Sequence, residues 1–311
     1  MLFFYPIFVK KIWGGNRLSQ FFSKNDLANQ KIGEAYIASD SKNFDSLIKK
    51  GKFKGKTLSW IWNYHKEFFN NYPSANFPLL IKLIDANDDL SVQVHPSNLS
   101  NDCQCIKNEC WYFLDCPKDH SLVLGHYARN KDDFLSLFEN KKYYQLFRKI
   151  IINKDDFVFI PAGTVHAILK DSFVFEIQNN CDITYRIFDY NRVDPKNKKP
   201  RALHTEKALE AIYYPQNHLE KEKNSFFPLT KNIEMHTLLK NDFFDIKKIV
   251  LKDNAYINLS FEKNFIYFFC SKGKLKINEN DVSETDSGVI CHDDLNSLTI
   301  EGNGILFFVL K

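Results

Sequence analysis

Strand-length runs of β-branched and aromatic residues recur along this chain at close spacing, and they limit what it can fold into. Residues 77–85, 90–95, 109–114, 157–160, 173–178 and 183–188 are all of this kind, and such runs predict β-strands. Helical patterns are fewer, over 57–70, 131–139 and 205–212. No strand–helix alternation supports a nucleotide-binding sheet, so the expected class is mostly β, built as sandwiches or barrels. After Tyr214 the texture turns polar, and strands return at 243–251, 257–261, 265–270, 274–277, 288–291 and 297–310. The expected organisation is a larger segment over 1–214 with helical insertions, a solvated linker over 215–228, and a smaller β-barrel over 229–311.

Composition narrows the function. The 311 residues include 42 basic and 38 acidic side chains, a formal charge of +4, which is no nucleic-acid coat but allows a basic pocket for a small anion. No apolar run approaches the eighteen or so residues of a membrane span. The apolar residues 2–9 have no basic residue before them and are followed by Lys10 and Lys11, which reads as a buried strand, not a signal peptide. Seven Cys, an odd number at irregular spacings, predict reduced thiols and a cytoplasmic location. Cys103, Cys105 and Cys110 cluster without any CxxC pair, which argues against a thiolate metal site.

Four polar residues on separate β segments stand out. In 91–96, strand alternation puts Val92 and Val94 on one face and Gln93 and His95 on the other. In 107–113, Lys107, Glu109, Trp111 and Phe113 share a face, and a carboxylate there is costly to bury without a cation. In 157–168 an apolar strand stops at Pro161-x-Gly163, and His166 opens the next strand. Each has an ordinary structural reading alone: a solvent face, a salt-bridged edge, a core histidine.

Together these words resemble a family. Pro161-x-Gly163-x-x-His166 matches the second motif of the cupin barrel, and Gln93-x-His95 with Glu109 matches the first with Gln in place of its first His. That replacement resembles type I mannose-6-phosphate isomerases (phosphomannose isomerases), and the total length looks like their short bacterial form. Residues 80–96, 107–112, 182–190, 12–15 and 200–204 agree. The resemblance runs over most of 5–212 and is weak beyond Tyr214. Two departures are Gly33-Glu34-Ala35-Tyr36, where the family tends to have Gly-Glu-Cys-Trp, and Asp155, where a Gly usually opens the second motif.

The resemblance implies two cupin-type jelly-roll barrels and one Zn²⁺ per subunit, held by Gln93, His95, Glu109 and His166. It implies interconversion of mannose 6-phosphate and fructose 6-phosphate through a cis-enediol. Arg186 would stabilise an anionic intermediate or hold phosphate, being too strong a cation to act as a base. Lys82, inside an apolar run, and Lys107 would serve phosphate binding or proton transfer, and Glu176 and Gln178 would support them. The other histidines, His204 included, read as capping, surface or packing residues. Expected partners are a phosphorylated hexose, no nucleic acid and no membrane, with the chain a monomer or weak homo-oligomer. Two His and a carboxylate also suit iron, so the alternatives are a cupin dioxygenase or a non-catalytic sugar- or metal-binding cupin.

Overall fold

The computed structural model describes residues 1–99, 105–194, 198–223 and 225–311, and the β-rich runs become strands largely where they were expected. Leu79–Asp85, Val92–Val94, Glu109–Asp115, Phe157–Ile160, Phe173–Asn179 and Tyr185–Phe188 are strands, and Leu58–Tyr64, Lys131–Glu139 and Thr205–Ala211 are helices. Thr57 caps the first of these helices by accepting from Trp60 N–H, and Asn130 caps the second by accepting from Asp133 N–H. Ser121–His126 and Phe147–Ile151 are strands that the pattern did not reveal. The protein is mostly β, as expected.

The chain forms two compact units, and they are not consecutive segments. One comprises Met1–Ile7, Tyr36–Leu80 and Lys223–Lys311, the other Phe8–Ala35 and Ile81–Glu222. The expected division at 214 and 229 therefore differs from the observed one, because the chain passes between units several times. The last passage between units, at Glu222 and Lys223, falls within the expected linker 215–228, but that stretch is not solvated throughout. Gln216 is buried, accepting from Val165 N–H at 2.9 Å and donating to Gly163 O at 2.5 Å, Lys221 Nζ pairs with Asp156 at 2.6 Å, and Ser225–Thr230 is a strand. Asn224 lies outside the described residues.

The first unit is built on a nine-stranded sheet. Two long strands, Asp245–Leu259 and Phe265–Ile277, each replace a pair of expected short ones, and both pair antiparallel with Leu298–Leu310. Leu2–Phe4 pairs with Ser287–Cys291 and with Ile48–Lys50, so the apolar start of the chain is the buried strand its sequence predicts. Phe3, Ile266, Phe268, Leu306 and Phe308 belong to one core.

The second unit is two facing sheets. The six-stranded one runs in the order Phe157–Ile160, Glu109–Asp115, Phe173–Asn179, Leu79–Asp85, Ile32–Ala38, Ile7–Gly15. The five-stranded one runs Phe147–Ile151, Ser121–His126, His166–Ala167, Val92–Val94, Tyr185–Phe188. Trp111, Phe113 and Val158 from the first meet Leu122, Leu124 and Ile168 in one core between the sheets. The outer face of the five-stranded sheet carries Val92, Val94, Ala167 and Ile187, covered by Phe134, Ala208 and Leu209 of the helices. With those residues outward, strand alternation sends Gln93, His166 and Arg186 inward.

The thiols differ from expectation. Cys105 and Cys181 are disulfide-bonded with Cα atoms 5.9 Å apart, because the segment entering Glu109–Asp115 runs beside the turn that follows Phe173–Asn179. Cys110, Cys116, Cys270 and Cys291 are outside any disulfide, and Cys103 lies outside the described residues.

Candidate metal and substrate site

Sheet register assembles the site. Across the five-stranded sheet His166 stands opposite Gln93, and Gln93 opposite Arg186, so three polar side chains line up on one inner face. His95 follows two residues after Gln93 on the same face. Across the six-stranded sheet Glu109 pairs with Gln178, and Trp111 with Glu176. Gly163 makes the turn before His166 at φ +82°, a left-handed conformation open chiefly to Gly, and its N–H donates to His95 O at 3.1 Å. The Pro-x-Gly turn thus fixes the two histidines relative to each other.

His95, Glu109 and His166 are fully buried and bring ligand atoms within 4.8 Å of one another. His95 Nδ1 lies 3.0 Å from Ile183 O and His166 Nδ1 lies 2.8 Å from Thr164 O. A carbonyl only accepts, so each ring carries its proton on Nδ1 and turns the lone pair of Nε2 inward. Those Nε2 atoms lie 3.1 Å and 3.2 Å from the two oxygens of Glu109. Burial pushes the pKa of His95 down, and that of His166 down to about 3, so no imidazolium proton fills the gap. Burial opposes the charge of Glu109, yet its surroundings, the Lys107 ammonium among them, hold its pKa well below the usual carboxylate range. His95 Nε2 and both Glu109 oxygens are buried without a hydrogen-bond partner. Lone pairs facing lone pairs in a dry pocket repel unless a cation lies between them, and two imidazoles with a carboxylate are a fitting set for a divalent ion.

Gln93 belongs to the same cluster, its Nε2 3.3 Å from His166 Nε2 and its Oε1 accepting from Ser91 Oγ at 3.4 Å. Turning the amide over would present Oε1, the atom able to ligate a metal. Lys82, Lys107, Glu176 and Arg186 line the adjoining cavity of about 210 Å³. Lys107 Nζ is 3.1 Å from Glu109. Lys82 Nζ is 3.4 Å from Asp182 and 3.7 Å from Glu176. Glu176 accepts from Trp111 Nε1 at 3.0 Å, and burial with the nearby Glu109 charge pushes its pKa up to about 6. Gln178 does not reach the cavity lining but donates to Cys181 O at 2.7 Å, bracing the turn before Ile183.

Among the cavity residues to which the sequence assigns no chemical role are Lys11, Trp13, Glu34 and Arg201. Each lies in or beside a word that carried the family resemblance, 12–15, 33–36 or 200–204, so the signal was present as a motif without a chemical role. His204 caps no helix with its side chain. Its Nδ1 accepts from Arg186 N–H at 3.0 Å instead.

Comparison with known proteins decides the family. Residues 2–120 match the model of the phosphomannose isomerase type I catalytic domain. A probable mannose-6-phosphate isomerase of Bacillus subtilis is 40% identical over 258 residues, covering 82% of this chain and 81% of its own. The chain belongs to the type I phosphomannose isomerase family. The crystal structure of a Bacillus subtilis mannose 6-phosphate isomerase superposes with a TM-score of 0.91 at 31% identity, covering 99% of this chain and 98% of that one. A zinc-bound mannose 6-phosphate isomerase shares the fold at a TM-score of 0.75 and 14% identity, covering 100% of this chain and 99% of that one. The Bacillus subtilis structure thus shares the architecture in which the His–Glu–His cluster sits here. No helix among the described residues is long and apolar enough to cross a membrane.

Proposed function

We propose that this chain interconverts mannose 6-phosphate and fructose 6-phosphate, with one zinc ion held by His95, Glu109, His166 and the carboxamide of Gln93. The observation that carries the reading is the convergence of two imidazole lone pairs on a buried carboxylate. When bound, the ion supplies a Lewis acid for the oxygens on the two carbons between which the proton moves. The chain's own residues do the rest. Arg186, on the inner face beside Gln93, holds negative charge that develops on the sugar or resides on its phosphate. Lys82 and Lys107 line the same cavity beside carboxylates, and they are the groups placed to move a proton between C1 and C2 through a cis-enediol. Trp111 and the apolar core behind it exclude water from that transfer.

Family membership favours this reading over a non-catalytic cupin or a dioxygenase. Phosphorylated hexoses carry charge that keeps them from crossing lipid, so the proposed location is cytoplasmic, with the chain a monomer or weak homo-oligomer. A coupled assay following fructose 6-phosphate from mannose 6-phosphate, with and without chelator, tests it. Zinc-restored turnover is expected. Turnover indifferent to chelation would refute the metal role, and no turnover by zinc-loaded protein would refute the activity.

A further inference from the structure

The cavity is lined by five basic side chains, Lys11, Lys82, Lys107, Arg186 and Arg201, against the carboxylates of Glu34, Glu176 and Asp182. Its lysines have anions at hand: Lys11 lies 3.0 Å from Glu34, Lys82 3.4 Å from Asp182, and Lys107 3.1 Å from Glu109. The arginine end is arranged differently. Its carboxylate is Asp189, 4% exposed, and Asp189 is shared. Arg201 Nε donates to it at 2.7 Å and Arg201 Nη2 also bonds it, while Arg192 Nη2 donates to it at 2.5 Å. Asp189 therefore serves two guanidiniums, of which Arg192 also has Asp88 at 3.5 Å, and Arg186 stands close by as a third.

The spacing of Arg186 and Arg201 is set by backbone. Arg186 Nη1 donates to Ala202 O at 2.8 Å, and His204 N–H donates to Arg186 O at 2.8 Å. Arg186 Nε is buried without a hydrogen-bond partner. Burial, with the positive charge of Arg201 next, lowers the pKa of Arg186, and Asp189 opposes that shift. Arg192 Nη1 in turn bonds Asp89 O, which fixes the Asp189 network to the loop leading to Gln93.

We propose that Asp189 is a positioning residue for anion recognition, holding Arg201 beside Arg186 so that the two guanidiniums form the end of the cavity that takes the phosphate of the sugar. This rests on the isomerase reading for the identity of the sugar, though not for the anion. Two planar guanidiniums match a phosphate dianion in charge and in donor geometry. Lys82 and Lys107, already facing carboxylates, are then left to the proton-transfer end.

The test uses zinc-loaded protein and two probes, inorganic phosphate by calorimetry and mannose 6-phosphate in steady-state kinetics. Arg201→Met should weaken phosphate binding and raise KM by about 10- to 100-fold, the range for a lost charge-assisted hydrogen bond, with zinc content unchanged and kcat altered far less. Asp189→Asn should act in the same direction more weakly, and Arg201→Lys should recover part of the phosphate affinity. Unchanged phosphate affinity in Arg201→Met would overturn the proposal, as would an Asp189→Asn effect confined to melting temperature. If Asp189→Asn does not fold, Arg201→Met decides alone, since Asp189 keeps Arg192. Wild-type protein that binds phosphate through Arg201 without turning over the sugar would sink the isomerase reading and leave the anion end standing.

Discussion

Replacing Glu109 with Gln keeps the volume of the side chain and removes only its charge, so it isolates what the carboxylate does. Glu109 is fully buried and Lys107 is 4% exposed, with Nζ 3.1 Å away. Removing one member of a buried ion pair typically costs about 3–5 kcal/mol, because the other charge stays behind. The Gln amide can donate to one imidazole lone pair, which offsets part of that loss and places the expected cost near about 3 kcal/mol. In metal-free protein this should lower the melting temperature by roughly 10 °C, at a few degrees per kcal/mol for a domain of this size. The larger effect falls on the metal. Glu109 is the anionic member of the ligand set, and its loss should weaken zinc by more than the roughly 10- to 100-fold that a supporting partner is worth. Zinc content after dialysis, calorimetric unfolding with and without zinc, and turnover measure the three consequences. Glu176→Gln is the control, since Glu176 bonds Trp111 and faces Lys82 without belonging to the His–Glu–His cluster. A Glu109→Gln protein that retains zinc at wild-type affinity would refute the reasoning, as would equal zinc loss in both variants.

Three other outcomes follow from the same geometry. Gly163→Ala places a Cβ 2.7 Å from Ala211 O at φ +82°, so it should destabilise by more than the ~1–2 kcal/mol of a left-handed residue alone and reduce zinc content, read by thermal unfolding and metal analysis. The Cys105–Cys181 bond spans 76 residues, so reducing it should remove about 4 kcal/mol on the chain-entropy account; both thiols titrating in unreduced native protein would contradict it. Asp189 is opposed by burial, but hydrogen bonds from Arg201 and Arg192 outweigh this and lower its pKa. Its contribution is complete above the ordinary carboxylate pKa and is lost as pH falls below it through the folded value, so Asp189→Asn should flatten that part of the acid limb in unfolding measured against pH.

What the sequence conveyed was whatever depends on alternation and on single backbone positions. Period two placed Val92 and Val94 apart from Gln93 and His95, and the structure keeps them on opposite faces of one sheet. Pro161-x-Gly163 announced a turn, and Gly163 takes the positive φ that the turn needs. Asp155 shows the same demand from the other side, since it stands at φ +71°, a conformation that suits Gly. What was not legible depends on partners distant in sequence. Arg201 could be read as polar, but its meaning comes from Asp189, Arg186 and the segment that pairs them, none of which has a periodic signature. The passage of the chain between its two units is equally silent, because Ile32–Ala38 and Leu79–Asp85 are ordinary apolar strands. Alternation tells which face of a strand is buried, but the identity of the covering element is a property of long-range pairing. For this site that division matters chemically. The proposed ligand set lies within strands and at their ends, where the family resemblance could pick it out, whereas the charge balance proposed to select a phosphorylated sugar is assembled from elements that meet only in the folded chain.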